Sequence, residues 1–178
     1  ASLCYTVITE TKQEGMKITY FTRCQTIEDV KSLYNELCFN LHPDVSGRDT
    51  TAEFQRMANE YEKAFELLKN KRRAASGEVY EKESTETPQE YADIINKLMN
   101  IPGLIVEIIG SFVWVSGNTK ENREALKALG FKYHSKKIMW YLSPPGYVKR
   151  SRKTFSMDEI REMFDNNGTY KSSAPASI

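Results

Sequence analysis

Three consecutive residues, His42, Pro43 and Asp44, place an imidazole and a carboxylate on either side of a ring that fixes the backbone. The tripeptide follows one segment with helical periodicity and opens a loop of about eight residues before a second such segment. Two interpretations are open. The tripeptide could be a loop that docks a partner, or it could be a plain helix stop followed by a turn.

A second stretch, residues 131–155, combines positive charge with aromatic rings. It contains seven Lys or Arg residues and no acidic residue. Cations that follow a phosphate backbone beside rings on which bases stack are typical of a single-strand binding surface. The predicted site residues are Lys132, Lys136, Lys137, Trp140, Tyr141, Lys149, Arg150, Arg152 and Lys153. About half of the aromatic residues here must serve a core, because successive strand residues alternate faces, and a solvated basic face is the alternative interpretation.

The spacing of cysteine and histidine argues against a disulfide framework and against a metal centre. The cysteines are odd in number and form no Cys-x-x-Cys pair; they are Cys4, Cys24 and Cys38. Neither His42 nor His134 has ligand companions at helical or knuckle spacing. We therefore expect no metal, no cofactor and no catalytic residue, and we expect reduced thiols and a cytoplasmic location.

Helical periodicity predicts two helices around the tripeptide. Thr26 suits the N-cap of the first helix, Asp29 suits its first turn, and Pro43 disfavours helical geometry at the preceding residue. The apolar stripes are Ile27, Val30, Tyr34, Leu37 and Leu41 in the first helix and Phe54, Met57, Tyr61, Phe65 and Leu68 in the second. Two helices joined by a short loop bury such stripes by packing antiparallel, so we expect a helical hairpin.

Residues 26–73 resemble the central helical hairpin of a J domain, the DnaJ family of co-chaperones. The residues that carry the resemblance are the loop tripeptide His42, Pro43 and Asp44, with Tyr34 and Leu37 before it and Phe54, Met57 and Tyr61 after it. The resemblance implies docking to a DnaK-type chaperone and stimulation of its ATP hydrolysis, with the loop aspartate presented to an arginine of the partner. It implies no bond-breaking chemistry by this chain.

The sequence departs from that family in three respects. The usual first helix with paired tyrosines is replaced by a predicted β-hairpin over 3–9 and 17–21. The predicted docking residues are His42, Pro43, Asp44 and Lys31. The helix before the tripeptide normally carries a basic docking face, whereas here Lys31 stands among acidic and amide residues, which weakens docking by charge. The glycine/phenylalanine-rich segment and the Cys-x-x-Cys-x-Gly-x-Gly repeats of the prototype do not follow.

The pattern along the chain predicts an α+β protein in two units. Residues 1–25 form the hairpin extension, although Met16 could be the native start and 1–15 extraneous. After the J-like hairpin, polar residues 74–86 are typical of a linker. Residues 87–165 then show the order helix, strand, strand, helix, strand, strand, helix, which predicts an antiparallel sheet. The predicted hairpins span 104–109 with 112–115 and 131–134 with 138–142, and the helix between them runs from 118 or 119 to 130. Thr87 and Ser156 are predicted N-caps of the first and last helices, with Glu90 and Glu159 completing capping boxes. The last helix is expected to dock on the sheet through its apolar residues Met157, Ile160, Met163 and Phe164. Residues 166–178 have the composition of a disordered tail.

Charge is divided unevenly between these units. Residues 1–103 hold 13 Lys or Arg against 17 Asp or Glu, whereas residues 104–178 hold 12 against 7. The segment 125–141 is also loosely similar to small helix-plus-hairpin modules found beside helicase, primase and mobile-element proteins. Two hypotheses follow. The first is an adaptor that recruits a DnaK-type chaperone to a client protein through the C-terminal unit. The second is a nucleic-acid-binding protein of viral or mobile-element type that uses residues 131–155, with the J-like part serving only as a scaffold. No stretch of about 18 apolar residues suggests a membrane partner.

Overall fold

The computed structural model describes residues 19–42, 47–164 and 169–171. These residues form a mixed α+β fold with antiparallel sheets, which confirms the predicted class. The elements are α1 (Ile27–Leu41), α2 (Thr51–Leu68), β1 (Lys71–Arg73), β2 (Val79–Glu81), α3 (Pro88–Met99), β3 (Leu104–Ile109), β4 (Phe112–Gly117), α4 (Arg123–Ala128), β5 (Lys132–His134), β6 (Met139–Leu142), α5 (Met157–Phe164) and β7 (Thr169–Lys171). No helix among the described residues is long and apolar enough to cross a membrane.

Local side-chain hydrogen bonds define where the first helix begins and ends. Thr26 and Asp29 form a capping box, in which each side chain accepts the backbone N–H of the other. At the other end, His42 has extended backbone angles, with φ −63° and ψ 128°, as a residue before proline requires. The predicted start and end of α1 are therefore confirmed.

Helices α1 and α2 run antiparallel along one another. Thr50, the residue before α2, donates its hydroxyl to the carbonyl of Leu41 at the end of α1, at 2.6 Å. At the opposite end, the Arg73 guanidinium, just beyond α2, lies 3.0 Å from the Asp29 carboxylate in the first turn of α1. Between these ends, the ring of Tyr34 in α1 stacks on the ring of Tyr61 in α2, with the ring centroids 3.9 Å apart.

The predicted linker, residues 74–86, contributes to the packing. Strand β2 lies inside it and pairs antiparallel with β1, with Arg72 opposite Tyr80. Further along, Ser84 and Glu86 hydrogen-bond the buried Arg72 side chain. The polar residues of this segment, whose composition is typical of a linker, therefore act as hydrogen-bond partners of a buried charge. Residues before and after this segment share one buried apolar cluster.

The larger sheet has five antiparallel strands in the order β5-β6-β4-β3-β7. Both predicted hairpins, β3–β4 and β5–β6, are present. Ile138, which we predicted to begin the second strand of the latter, instead lies in the turn with φ 54° and is 73% exposed. The helix predicted from residues 118 or 119 to Gly130 is shorter, because α4 begins at Arg123.

The sheet separates two apolar layers of very different size. Its inner face packs against α1, α2, α3 and α4 and includes Val106, Val115 and Trp140. Its outer face carries Ile109, Trp114 and Met139, on which α5 lies. Strand alternation produces this division, and the predicted docking of α5 on the sheet is confirmed for Met157, Ile160 and Phe164.

Two sequence predictions concern the chain ends. Residues 3–9 and 17–18 of the predicted N-terminal hairpin lie outside the described residues. The rest of its second strand is not a strand, since residues 20 and 21 form a bend. Within the predicted disordered tail, Thr169–Lys171 forms β7, which pairs with β3. The tail prediction is wrong for these three residues, because their partner strand lies about sixty residues earlier and leaves no local signal.

Candidate nucleic-acid interface

A row of side chains crosses the outer face of the sheet at one level. The strand register places Lys132 of β5 opposite Tyr141 of β6, Tyr141 opposite Trp114 of β4, and Trp114 opposite Glu107 of β3. Directly opposed residues on one face have Cβ atoms about 5 Å apart. The row therefore runs from an exposed cation, through two aromatic rings, to a buried carboxylate.

Aromatic rings gather around this row, and we refer to Phe112, Trp114, Tyr141 and Tyr147 as the outer aromatic cluster. The rings of Trp114 and Tyr141 have centroids 5.4 Å apart, and Phe112 meets Tyr147 edge to face at 4.8 Å. Tyr147 is 47% exposed, whereas Trp114 is only 5% exposed. Phe112 and Tyr141 are half-buried. The cluster thus presents part of its ring surface to solvent.

Most of the predicted cations lie at the protein surface. The exposed ones are Lys132, Lys136, Lys149, Arg150, Arg152 and Lys153. Lys137 is half-buried: its ammonium group donates to the Phe155 carbonyl and lies 5.9 Å from the centre of the Trp114 ring. Desolvation lowers the pKa of Lys137, with the nearby Glu159 acting in the opposite direction. Six of the seven predicted cations are therefore exposed to solvent.

Besides Glu107, helix α5 brings two acidic side chains, Asp158 and Glu159, to this face of the sheet. Asp158 accepts a hydrogen bond from Arg161 at 2.9 Å, and the Glu159 carboxylate accepts the backbone N–H of Ser156 at 2.6 Å. Hydrogen bonds from Ser156 lower the pKa of Glu159. Both carboxylates are thus engaged within α5, and the Ser156–Glu159 capping box predicted from the sequence is confirmed.

Trp140 does not belong to this surface. It lies on the inner face of the sheet and is 7% exposed, with Tyr133 as its ring neighbour at 5.4 Å. Our prediction of Trp140 as a base-stacking residue is therefore corrected: its alternation with Met139 and Tyr141 directs it toward the helices. The indole on the outer face is Trp114, which sequence reasoning did not select although it alternates with the apolar Val113 and Val115.

Two buried polar atoms on the outer face of the sheet lack hydrogen-bond partners in the described structure. They are Nε1 of Trp114 and Nδ1 of His134, whose ring centroids lie 6.5 Å apart. Nearby, Arg161 of α5 donates two hydrogen bonds to Glu107, at 2.9 and 3.0 Å. The outer face is therefore polar as well as aromatic, and its polar atoms are only partly satisfied.

The predicted chaperone-docking residue Lys31 is inside the protein. Its ammonium group lies 2.8 Å from Glu86 and over the ring of Tyr91, and the residue is 4% exposed. Desolvation lowers the pKa of Lys31, against the attraction of Glu86. This prediction is corrected, because a buried and ion-paired lysine cannot present its charge to a partner. In α1, which the structure describes in full, the exposed side chains are Glu36 and Asn40.

His42 is half-buried at the end of α1, and its ring meets Phe54 edge to face at 6.4 Å. It borders an open groove of about 430 Å³ that Thr51, Gln55 and Asn96 also line. The other two residues of the tripeptide, Pro43 and Asp44, lie outside the described residues. The structure therefore gives a position for the histidine only.

No group of three or more potential metal ligands occurs in the part of the chain that the structure describes. Comparison with known proteins adds no relative: no family model, no curated protein and no solved structure matches this chain. The assignment of function consequently depends on the physical properties of the surfaces described above.

Proposed function

We propose that this protein binds single-stranded nucleic acid through the outer aromatic cluster and the exposed cations around it. One observation carries the proposal: half-exposed rings of Phe112, Tyr141 and Tyr147 lie together on a sheet face, beside a stretch with six exposed cations and no acidic residue. Stacking on such rings tolerates any base, while the cations follow the phosphates. We expect binding with little sequence preference.

The arrangement of charge supports a strand over a duplex as the ligand. The exposed cations lie in irregular chain between β6 and α5 and at the β5–β6 hairpin, and none lies on a helix that could enter a major groove. In contrast, a flat sheet face with partly exposed rings accommodates unstacked bases. The ligand we infer is therefore single-stranded DNA or RNA.

The test is fluorescence anisotropy with a labelled twenty-nucleotide oligo(dT) and the matching oligo(U), measured over a series of salt concentrations. Replacing Arg150 and Arg152 by glutamine removes two exposed cations without adding charge. If both contact phosphates, the slope of log K against log salt becomes shallower by about 1.4. The matched control replaces Lys63 and Lys97, two exposed lysines on α2 and α3, and should leave the slope unchanged.

Absence of binding at low salt would exclude this function. An equal effect of the two pairs of substitutions would show only diffuse attraction and would exclude the proposed surface. Specific binding requires in addition that Tyr147→Ala weaken the complex at every salt concentration, because stacking does not depend on counterion release.

A second candidate is docking of a DnaK-type chaperone through the His42 loop, with the C-terminal half selecting a client. The observation that favours it is the antiparallel pair α1 and α2, whose connection begins at His42. Charge does not support it, because Lys31 is buried and the exposed residues of α1 are Glu36 and Asn40. We therefore rank it below nucleic-acid binding.

This second candidate is tested by the steady-state ATPase rate of a DnaK-type chaperone with and without the protein. Stimulation that is lost in Asp44→Asn and retained in Asp49→Asn would support docking through the tripeptide. Both substitutions remove one loop carboxylate, so they are matched in charge. Failure to stimulate at low salt would exclude the adaptor function.

A further inference from the structure

We propose that α5 is a displaceable cover over the outer face of the sheet, and that a single strand takes its place against Trp114. This inference rests on the proposed function and extends it to how binding is regulated. In the closed arrangement seen here, Trp114 is 5% exposed and is not available for stacking. If α5 were displaced, the ring of Trp114 would become accessible beside the rings of Phe112 and Tyr141.

The apolar attachment of α5 is slight. None of the eight residues of this helix is buried. Its apolar contacts with the sheet come from Met157, Ile160 and Phe164, which pack against Ile109, Trp114 and Met139. By comparison, α2 buries six residues, Met57, Glu60, Tyr61, Ala64, Phe65 and Leu68. Because apolar stabilisation scales with the area removed from water, α5 is held far more weakly than α2.

The main polar attachment is a two-point ion pair. Arg161 donates to both oxygens of Glu107, at 3.0 and 2.9 Å. The Arg161 side chain is 34% exposed, and that of Glu107 is 5% exposed. Water can therefore reach the arginine, whereas the carboxylate is buried. Bidentate geometry of this kind fixes orientation, so Arg161 acts as a latch that positions the cover.

In the closed state, not every polar atom of the outer face has a hydrogen-bond partner among the described residues. Nε1 of Trp114 and Nδ1 of His134 are buried without hydrogen-bond partners in the described structure. A buried polar atom without a partner raises the free energy of the state that buries it. Opening would give Nε1 of Trp114, which belongs to the layer that α5 covers, access to water or to the polar edges of bases. The closed state is thus penalised at the site where we place the ligand.

The residues on either side of α5 are attached to the sheet. On one side, Lys137 holds the Phe155 carbonyl. On the other side, β7 pairs with β3 through Ile105 and Lys171. We expect these two contacts to keep α5 close to the sheet when it opens.

The decisive variant is Arg161→Gln, measured with the oligo(dT) anisotropy assay. If cations acted only by charge, the loss of one would weaken binding. If Arg161 latches the cover, its loss raises the open fraction, and affinity rises in proportion, by roughly three- to tenfold. The predicted effect thus has the opposite sign. Arg123→Gln is the matched control, because Arg123 pairs with Glu124 at the surface and should not change affinity.

A second variant, Ile160→Ala, loosens the cover without changing charge and should also raise affinity. Opening is read directly by ¹⁹F NMR of protein labelled with 5-fluorotryptophan, which resolves Trp114 from the core residue Trp140. We expect the Trp114 signal alone to gain a solvent isotope shift in both variants, and to move when oligo(dT) binds to the unaltered protein.

The outcomes separate the two proposals. If the unaltered protein binds the strand while both variants bind equally or more weakly and Trp114 stays protected, the cover is refuted and the binding function stands. If neither the unaltered protein nor the opened variants bind, the binding function fails and the cover proposal fails with it. Higher affinity in both variants, with exposure of Trp114, supports the cover.

Discussion

Nζ of Lys31 lies 2.8 Å from Oε2 of Glu86, although the two residues are 55 positions apart and both side chains are almost fully buried. Arg72 joins the same carboxylate at 3.4 Å and approaches Glu28 at 3.8 Å. Two cations and two carboxylates are thus enclosed where α1, β1 and residues 84–86 meet. Such a cluster makes each member costly to remove.

We expect Lys31→Met to lower the free energy of unfolding by about 3 kcal/mol, because it leaves the more distant Arg72 as the one cation paired with the buried Glu86 carboxylate among the described residues. Replacing both partners, as Lys31→Met with Glu86→Leu, should restore much of the loss. Urea denaturation followed by circular dichroism measures both values. Lys63→Met, at an exposed lysine of α2, is the control. If Lys63→Met lowered stability as much as Lys31→Met, the burial of Lys31 would be contradicted.

The two buried thiols predict alkaline destabilisation under reducing conditions. Burial raises the pKa of Cys24 and of Cys38 from the ordinary 9.0 to about 12. Unfolded thiols lose protons above pH 9 while the folded ones keep theirs, so their contribution is complete below pH 9 and is lost as the pH rises toward 12. Each thiol contributes a slope of up to about 1.4 kcal/mol per pH unit in this window. Cys24→Ala should flatten the decline between pH 9 and 11; an unchanged slope would contradict the prediction.

Two glycines with the same backbone angle provide a matched test of local packing. Gly117 and Gly77 both have φ +88°, but a Cβ at Gly117 would lie 2.3 Å from the carbonyl oxygen of Gly103, whereas a Cβ at Gly77 meets nothing within 4 Å. Gly77→Ala should cost about 1 kcal/mol for the left-handed conformation. Gly117→Ala should cost about 2 kcal/mol more, because the backbone must shift. Thermal unfolding of the two variants checks the difference, and equal losses would contradict it.

Truncation of Trp140 should mainly lower stability, whereas truncation of Tyr147 should mainly lower affinity for the oligonucleotide. Trp140→Ala opens a cavity in the inner core and should lower the free energy of unfolding by about 3–5 kcal/mol. Tyr147→Ala removes a ring that is 47% exposed, so stability should change by less than about 1 kcal/mol, while affinity for oligo(dT) should fall at least fivefold. A stability loss at Tyr147 as large as that at Trp140 would contradict the assignment of faces.

Local signals in the sequence predicted much of the fold. The caps at Thr26, Thr87 and Ser156 and the tight turn of the β3–β4 hairpin depend on residues within four positions of each other, and each is present. Strand alternation identified residues that could face solvent, but it could not decide which face the helices cover. This is why Trp140 was assigned to the surface and Trp114 was passed over.

The features that the sequence did not reveal depend on distant partners. Lys31 carries no local sign of burial, because its partner Glu86 lies in a segment whose composition is typical of a linker. Strand β7 needs β3, and the short β1–β2 hairpin is stabilised by buried contacts of Arg72. For the same reason the latch between Arg161 and Glu107, 54 positions apart, could not be anticipated.

The hydroxyl of Ser111, in the turn between β3 and β4, donates to Glu28 of α1 at 2.6 Å across 83 residues of chain. Glu28 and the ion pairs around it therefore reach their final arrangement only after the sheet has formed its central hairpin. Contacts of such long range slow folding and make it cooperative. A fragment that ends after α2 would leave Glu28 and Lys31 without these partners, so the helical hairpin should not fold as an autonomous module, and the described chain should unfold in a single transition.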